Sequence, residues 1–200
     1  MTTVSVLMAQ KPATDLAIAE AMAGELEAYI VDNELYRTLT VRTNEGDHAL
    51  QMTGADLLTR LYRLQGERAA LSQADQTRLD SVQKRVDATV YSLRTRFHER
   101  LQREIKARLD SLKWFLDDCT AKPQRCRIEF PFEMRNRQRI EEALKQLNYQ
   151  LPEPLQSRLH QIDTRLRQVA MPADFLWDER WQAIFPPQPY WYLYLRPEST

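Results

Sequence analysis

An apolar side chain returns on nearly every helical turn across about 40 residues of this 200-residue chain: Leu79, Val82, Val86, Val90, Leu93, Phe97, Leu101, Ile105, Leu109, Leu112 and Leu116. A strand sends successive side chains to opposite faces, so only a helix gathers such a series on one side. The mean spacing is about 3.7 residues. That lies near the 11-residue repeat of a straight or slightly right-handed helix, and away from the 3.5 of a left-handed coiled coil. Ser72 followed by Asp75 supplies a capping box at the start, with the acid at the positive end of the helix. Pro123 closes the far end. The pattern predicts one long central helix over about 72–118, and at about 1.5 Å of rise per residue it would reach roughly 65 Å.

Such a rod needs apolar cover along its side. Thr53-Gly54-Ala55-Asp56 is a second capping box, followed by Leu57, Leu58, Leu61 and Leu64 at helical spacing. Ile140, Leu144 and Leu147 mark another helix. Leu155, Leu159, Ile162, Leu166 and Val169 mark a third, bounded by Pro152, Pro154 and Pro172. The predicted helices near 55–71, 136–148 and 154–169 together nearly match the rod in length, so the stripe can be closed within one chain. Between Pro123 and these helices, Arg127–Phe132 reads as a short extended segment ending near Pro131.

The N-terminal part mixes both periods. Thr3–Met8 is β-branched and apolar, an edge-strand pattern. Thr14 opens a helix running to about Asp32, with Leu16, Met22, Leu26, Tyr29 and Ile30 toward a core. Leu35–Val41 and His48–Met52 alternate around Asn44-Glu45-Gly46, a hairpin signature. The fold class expected is therefore α+β, mainly α: an elongated helical bundle built on the long helix, with a small antiparallel β-hairpin. Residues 1–200 are expected to form a single domain with three parts: 1–53 the first helix and hairpin, 54–171 the bundle, and 172–200 an aromatic-rich C-terminal segment.

That last segment differs in kind. Phe175, Trp177, Trp181, Phe185, Tyr190, Trp191, Tyr192 and Tyr194 are eight of the chain's 18 aromatic residues. In Tyr190–Leu195, alternate residues would line opposite faces of a strand that joins the hairpin sheet. Trp177, Trp181, Tyr190, Trp191, Tyr192 and Tyr194 form a candidate aromatic contact surface, because such rings anchor peptides, sugars and bases. The plainer expectation, which we favour, is that the rings seal the end of the bundle.

Composition excludes several classes. Basic and acidic residues balance at 28 each, so global charge selects no polyanion. Only four glycines are present, and neither GxGxxG nor GxxxxGK[ST] occurs, which disfavours a nucleotide-binding α/β enzyme. No apolar run nears the roughly 20 residues of a membrane span, and the first 30 residues lack a hydrophobic signal core, so a cytoplasmic chain is expected. Cys119 and Cys126 are too few for a secreted disulfide scaffold, and reduced thiols are expected.

Two basic runs could gather phosphate. Arg94, Arg96, Arg100 and Arg103 lie on the long helix, with Arg125, Arg127 and Arg135 beyond Pro123; each run carries a net +4 with its neighbouring lysines, arginines and acids. The opposing expectation is an ordinary solvated face in which Glu99–Arg103, Glu104–Arg108 and Lys106–Asp110 pair at i,i+4. His48, His98 and His160 sit in no HExxH or ExxH frame, and no GxSxG occurs. Asp117 and Asp118 burden a helix C-terminus, where Lys122, Arg125, Arg127 or a divalent cation would answer them. The leading expectation is a cytoplasmic, non-catalytic protein-interaction or scaffold protein with no cofactor, able to bind a protein partner or to self-associate. The alternatives are a nucleic-acid-associated helical protein using the basic patch, and a metal-dependent hydrolase whose carboxylates the fold gathers.

Overall fold

The computed structural model describes residues 11–32 and 34–197. The chain divides into two compact units, Met1–Leu101 and Gln102–Thr200. The expected Thr3–Met8 strand lies outside the described residues.

In the first unit α1 (Pro12–Val31) begins on a proline, whose missing N–H costs nothing at a helix start. It buries Leu16, Met22, Leu26, Tyr29 and Ile30, as the periodicity predicts. The hairpin forms from β1 (Arg37–Thr43) and β2 (Gly46–Met52), antiparallel with Val41 opposite His48. Gly46 takes φ of +113° at the turn, a conformation that L side chains rarely adopt. α2 (Gly54–Gly66) is capped by Thr53, whose hydroxyl accepts from Asp56 N at 3.2 Å. Ser72 caps α3 (Gln73–Ser92) in the same way, accepting from Asp75 N at 3.1 Å.

The long helix is interrupted. α3 ends at Ser92 and α4 (Arg94–Ala121) begins two residues later, with Leu93 at φ −115° and ψ 27° between them. The stripe residues on both sides are buried, so the apolar period is real and its continuity is not. The interruption is confined to Leu93: its N–H still donates to the Thr89 carbonyl at 3.0 Å and its carbonyl accepts from Phe97 N at 2.9 Å.

In the second unit, helix α5 (Pro123–Gln146) follows α4 after a single residue. The expected extended segment at 127–132 is thus helical, and the helix expected from 136 starts 13 residues earlier. Pro131 lies inside α5 at the loss of one backbone bond. Cys126, Phe130 and Met134 recur every fourth residue and are all buried, and this burial offsets the lost bond. α6 (Glu153–Val169) begins behind Pro152 and carries Ile162 and Leu166 inward. Ion pairs tie it to α4, Arg158 to Asp110 and Arg165 to Asp117.

The tail is not a long strand. Among the described residues of the tail, Leu195–Pro197 (β4) is the one strand, and it pairs antiparallel with β3 (Ala170–Pro172) in a sheet separate from the hairpin. Pro187–Tyr190 is kinked at Gln188, which takes φ −120° and ψ 120° before a cis bond to Pro189, and Trp191–Tyr194 forms a 3-10 turn. A 3-10 turn repeats every three residues, which places Tyr190 and Leu193 on one side, and both are wholly buried. Prolines at 186, 187 and 189 fix the approach and remove the ladder donors that a strand needs. Among the described residues no helix is long and apolar enough to cross a membrane.

Cys119 and Cys126 form a disulfide, contrary to the expected free thiols. With only Lys122 between α4 and α5, the two cysteines fall on facing turns with Cα atoms 4.8 Å apart.

Candidate functional site

The C-terminal segment of the second unit folds back as a ladder of rings. Phe175 meets Tyr194 at 5.3 Å, Trp177 meets Phe185 edge-on at 5.4 Å, and Phe185 meets Tyr190 edge-on at 5.1 Å. Edge-to-face contacts suit the ring quadrupoles and add to the burial of large apolar area. Trp177 Nε1 donates to the Pro131 carbonyl at 3.0 Å and Tyr194 OH to the Phe185 carbonyl at 2.9 Å, so the polar ends of these rings are satisfied. Tyr190 and Tyr192 are wholly buried, which removes them from the expected contact surface. Trp177 and Trp181 are half-buried, with the Arg180 guanidinium 4.9 Å from the Trp181 ring.

Beneath the rings lies a buried network of charges. Arg137 grips Asp163 with two N–H groups, at 2.8 and 3.1 Å, and donates to Glu141 at 2.9 Å. Burial alone would lower the Arg137 pKa, but Asp163, with help from Tyr192 and Glu141, holds it above its ordinary value. Glu142 accepts from Tyr190 OH at 2.6 Å and from Gln138 at 3.1 Å, with Lys145 3.3 Å away. Burial pushes the Glu142 carboxyl up against the pull of Lys145 and Tyr190. Tyr149 donates to Glu141 at 3.0 Å, and burial together with that carboxylate pushes its hydroxyl up to about 12. The Tyr192 hydroxyl is buried without a hydrogen-bond partner, and desolvation raises its pKa well above the usual value. These groups lock α5, α6 and the tail together.

Trp191 and Tyr194, half-buried like Trp177 and Trp181, help to line a cavity of about 440 Å³ with Ala170, Pro172, Pro187, Leu195 and Arg167. Each part follows from its element. Arg167 sits in the last turn of α6, where a cation complements the helix dipole, and donates to the Asp163 carbonyl at 3.3 Å. Its guanidinium lies 3.6 Å from the centre of the Trp191 ring. Ala170 and Leu195 enter from β3 and β4 through alternation along the strands. The sequence pattern marks the two rings and not the other five residues. Tertiary pairing of β3 with β4 brings these together, and only the prolines at 172 and 187 point to the spot.

The basic candidates divide between the two units. Arg94, Arg96 and Arg100 belong to the first, and Arg103, Arg125, Arg127 and Arg135 to the second. Arg100 is buried and donates to the Glu34 and Ile30 carbonyls, at 2.7 and 3.4 Å, near the end of α1. Arg94, Arg96, Arg103 and Arg127 are exposed. Arg125 is bound to Glu129 at 2.7 Å. Arg135 is half-buried 4.9 Å from the Phe132 ring, and desolvation lowers its pKa. Cations answer both helix-terminal acids: Lys113 and Arg165 each lie 2.8 Å from Asp117, and Lys122 lies 3.5 Å from Asp118.

His48 shares a hydrogen bond with Thr43 Oγ1 at 3.0 Å, and His160 is exposed. His98 is half-buried with Nε2 unpartnered, and burial, then Arg94, lowers its pKa. Among the described residues no three His, Cys, Asp or Glu side chains converge as a metal site would require. Compared with protein-family models, curated proteins and solved structures, the chain matches none.

Proposed function

We propose that this chain is a non-catalytic protein-interaction protein whose contact surface is the Trp191 pocket of the second unit. The observation that carries the reading is the lining itself. Two half-buried aromatic rings, two prolines and two aliphatic side chains converge on a cavity of about 440 Å³, within the size range of sites that take apolar groups. The buried ring ladder holds Trp191 and Tyr194 in place, so little side-chain entropy is lost on binding. Rigid Trp and Tyr anchors supply much of the energy of protein interfaces.

The test is a photoreactive side chain at position 187, compared with the same group at exposed position 156 on α6. The reading expects a protein captured from position 187 alone. The purified partner should then bind the unmodified chain and lose about tenfold or more in affinity against Pro187→Glu. Equal capture from both positions, or reconstituted binding that ignores Pro187→Glu, overturns it.

A cytoplasmic location is also proposed, and the Cys119–Cys126 bond sets its test, because disulfides persist in oxidising compartments and are scarce in the cytosol. A reducing cytosol would keep opened the bond that the fold allows these two cysteines to form, so alkylation in intact cells should find both thiols free. A bond that survives this trapping overturns the cytoplasmic placement.

A further inference from the structure

We infer that the partner segment bound by this pocket is an extended peptide in which a proline stands beside an acidic residue. The inference rests on the reading of the pocket as a protein-contact site and adds the chemistry of what it takes. Trp191, Tyr194, Pro172 and Pro187 offer flat, rigid, apolar walls open to solvent. Extended proline-bearing chains dock against aromatic ledges of this kind, because their backbone is already set and the ring of proline packs flat.

The acid is read from Arg167. Its guanidinium carbon lies 3.6 Å from the Trp191 ring centre, a cation–π contact that holds this exposed side chain at the pocket rim. Among the described residues it has one hydrogen-bond acceptor, the Asp163 carbonyl at 3.3 Å. The Asp163 carboxylate is occupied by Arg137. The rim therefore presents a cation with N–H groups to spare, the group that receives a carboxylate in a forked pair. Arg196 does not share this role, since alternation along β4 sends it to the face opposite Leu195.

The test is a phage-displayed library of random peptides selected on the full chain. Enriched sequences should combine proline with Asp or Glu. The best synthetic peptide should lose about 10- to 100-fold in affinity against Arg167→Gln, the range of a lost charge-assisted bond. It should lose less against Arg167→Lys, which keeps the charge without the fork, and a similar amount when its own acid becomes the amide. Circular dichroism of each variant confirms an unchanged fold.

Peptides that bind Arg167→Gln as well as the unaltered chain, yet fail on Pro187→Glu, overturn the acidic assignment and leave the contact site standing. Enriched peptides without proline overturn the extended-proline assignment. No enrichment, or binding indifferent to Pro187→Glu, overturns the inference together with the reading beneath it.

Discussion

Asp15 and Arg63 are both wholly buried in the first unit, and the carboxylate that Arg63 grips through one oxygen holds Arg60 through the other. Arg63 also donates to Glu67 at 2.5 Å. One acid on α1 thus bridges two cations on α2, and Glu67 supplies the second negative charge. Removing one partner of a buried ion pair leaves the others charged in a low-dielectric interior, at about 3–5 kcal/mol. Asp15→Ala should lower the unfolding free energy by that amount, measured by denaturant titration with far-UV circular dichroism. A change below about 1 kcal/mol would show that the cluster contributes little.

Two glycines should respond with opposite sign. A Cβ at Gly54 would stand 2.8 Å from Phe97 Cε2 and 3.1 Å from Leu101 Cδ2, both in the buried core. Gly54→Ala should cost about 1–3 kcal/mol through overpacking, and Phe97→Leu added to it should recover part. Gly24 lies inside α1, where an added methyl group would meet nothing within 4 Å. Gly24→Ala should raise stability by roughly 0.5–1 kcal/mol through helix propensity. Thermal unfolding of the three variants checks the ordering.

The disulfide closes a short loop, with a sequence separation of 7 between Cys119 and Cys126. Loop-closure entropy for that length gives about 2–3 kcal/mol. All four tryptophans, Trp114, Trp177, Trp181 and Trp191, lie in the second unit. Reduction, or Cys119→Ser with Cys126→Ser, should therefore shift the tryptophan-fluorescence unfolding transition by that amount.

What can be read from sequence follows the range of the interaction involved. The caps at Thr53 and Ser72, the Gly46 turn and the buried face of α1 depend on residues a few positions apart, and local chemistry gives them. The break at Leu93 is hidden because the apolar period passes through it: Val90 and Phe97 are buried on either side, so the change of backbone angle at one residue leaves no mark in a hydrophobic pattern. Pro131 misleads in the other direction, since a proline counts against a helix only until burial of Phe130 and Met134 outweighs one lost bond. At the pocket, Trp191 and Tyr194 are legible as residue types. Arg167 is not, because its role depends on the pairing of Ala170 with Pro197, which returns the chain to the end of α6.

Acid should stabilise the second unit before it unfolds it. Burial raises the Glu133 and Glu142 carboxyls above their unfolded values, so the folded state takes up protons first as pH falls. Stability then rises from neutral pH down to the ordinary glutamate pKa near 4.5. Asp117 acts in the opposite sense: Lys113 and Arg165 lower its pKa, and its contribution is lost only below about 4. Denaturation midpoints by tryptophan fluorescence should climb between pH 7 and about 4.5, and Glu142→Gln should flatten that climb. A midpoint that falls steadily over this window contradicts the assignment.

Arg137 offers the sharpest test of how the charges beneath the ring ladder are balanced. Its two acids differ in shelter: the Glu141 side chain is 3% exposed and that of Asp163 16%. Arg137→Met should cost about 3–5 kcal/mol, because both acids lose their cation and the Tyr192 ring loses the guanidinium 4.7 Å above it. The loss should divide unequally. Asp163 is near enough to water to recover part of its solvation, whereas Glu141 keeps only the Tyr149 hydroxyl at 3.0 Å. Adding Glu141→Met should therefore recover more stability than adding Asp163→Asn, since it removes the charge that cannot be rehydrated. If Asp163→Asn recovers more, the forked pair outweighs burial in setting the energy of this cluster.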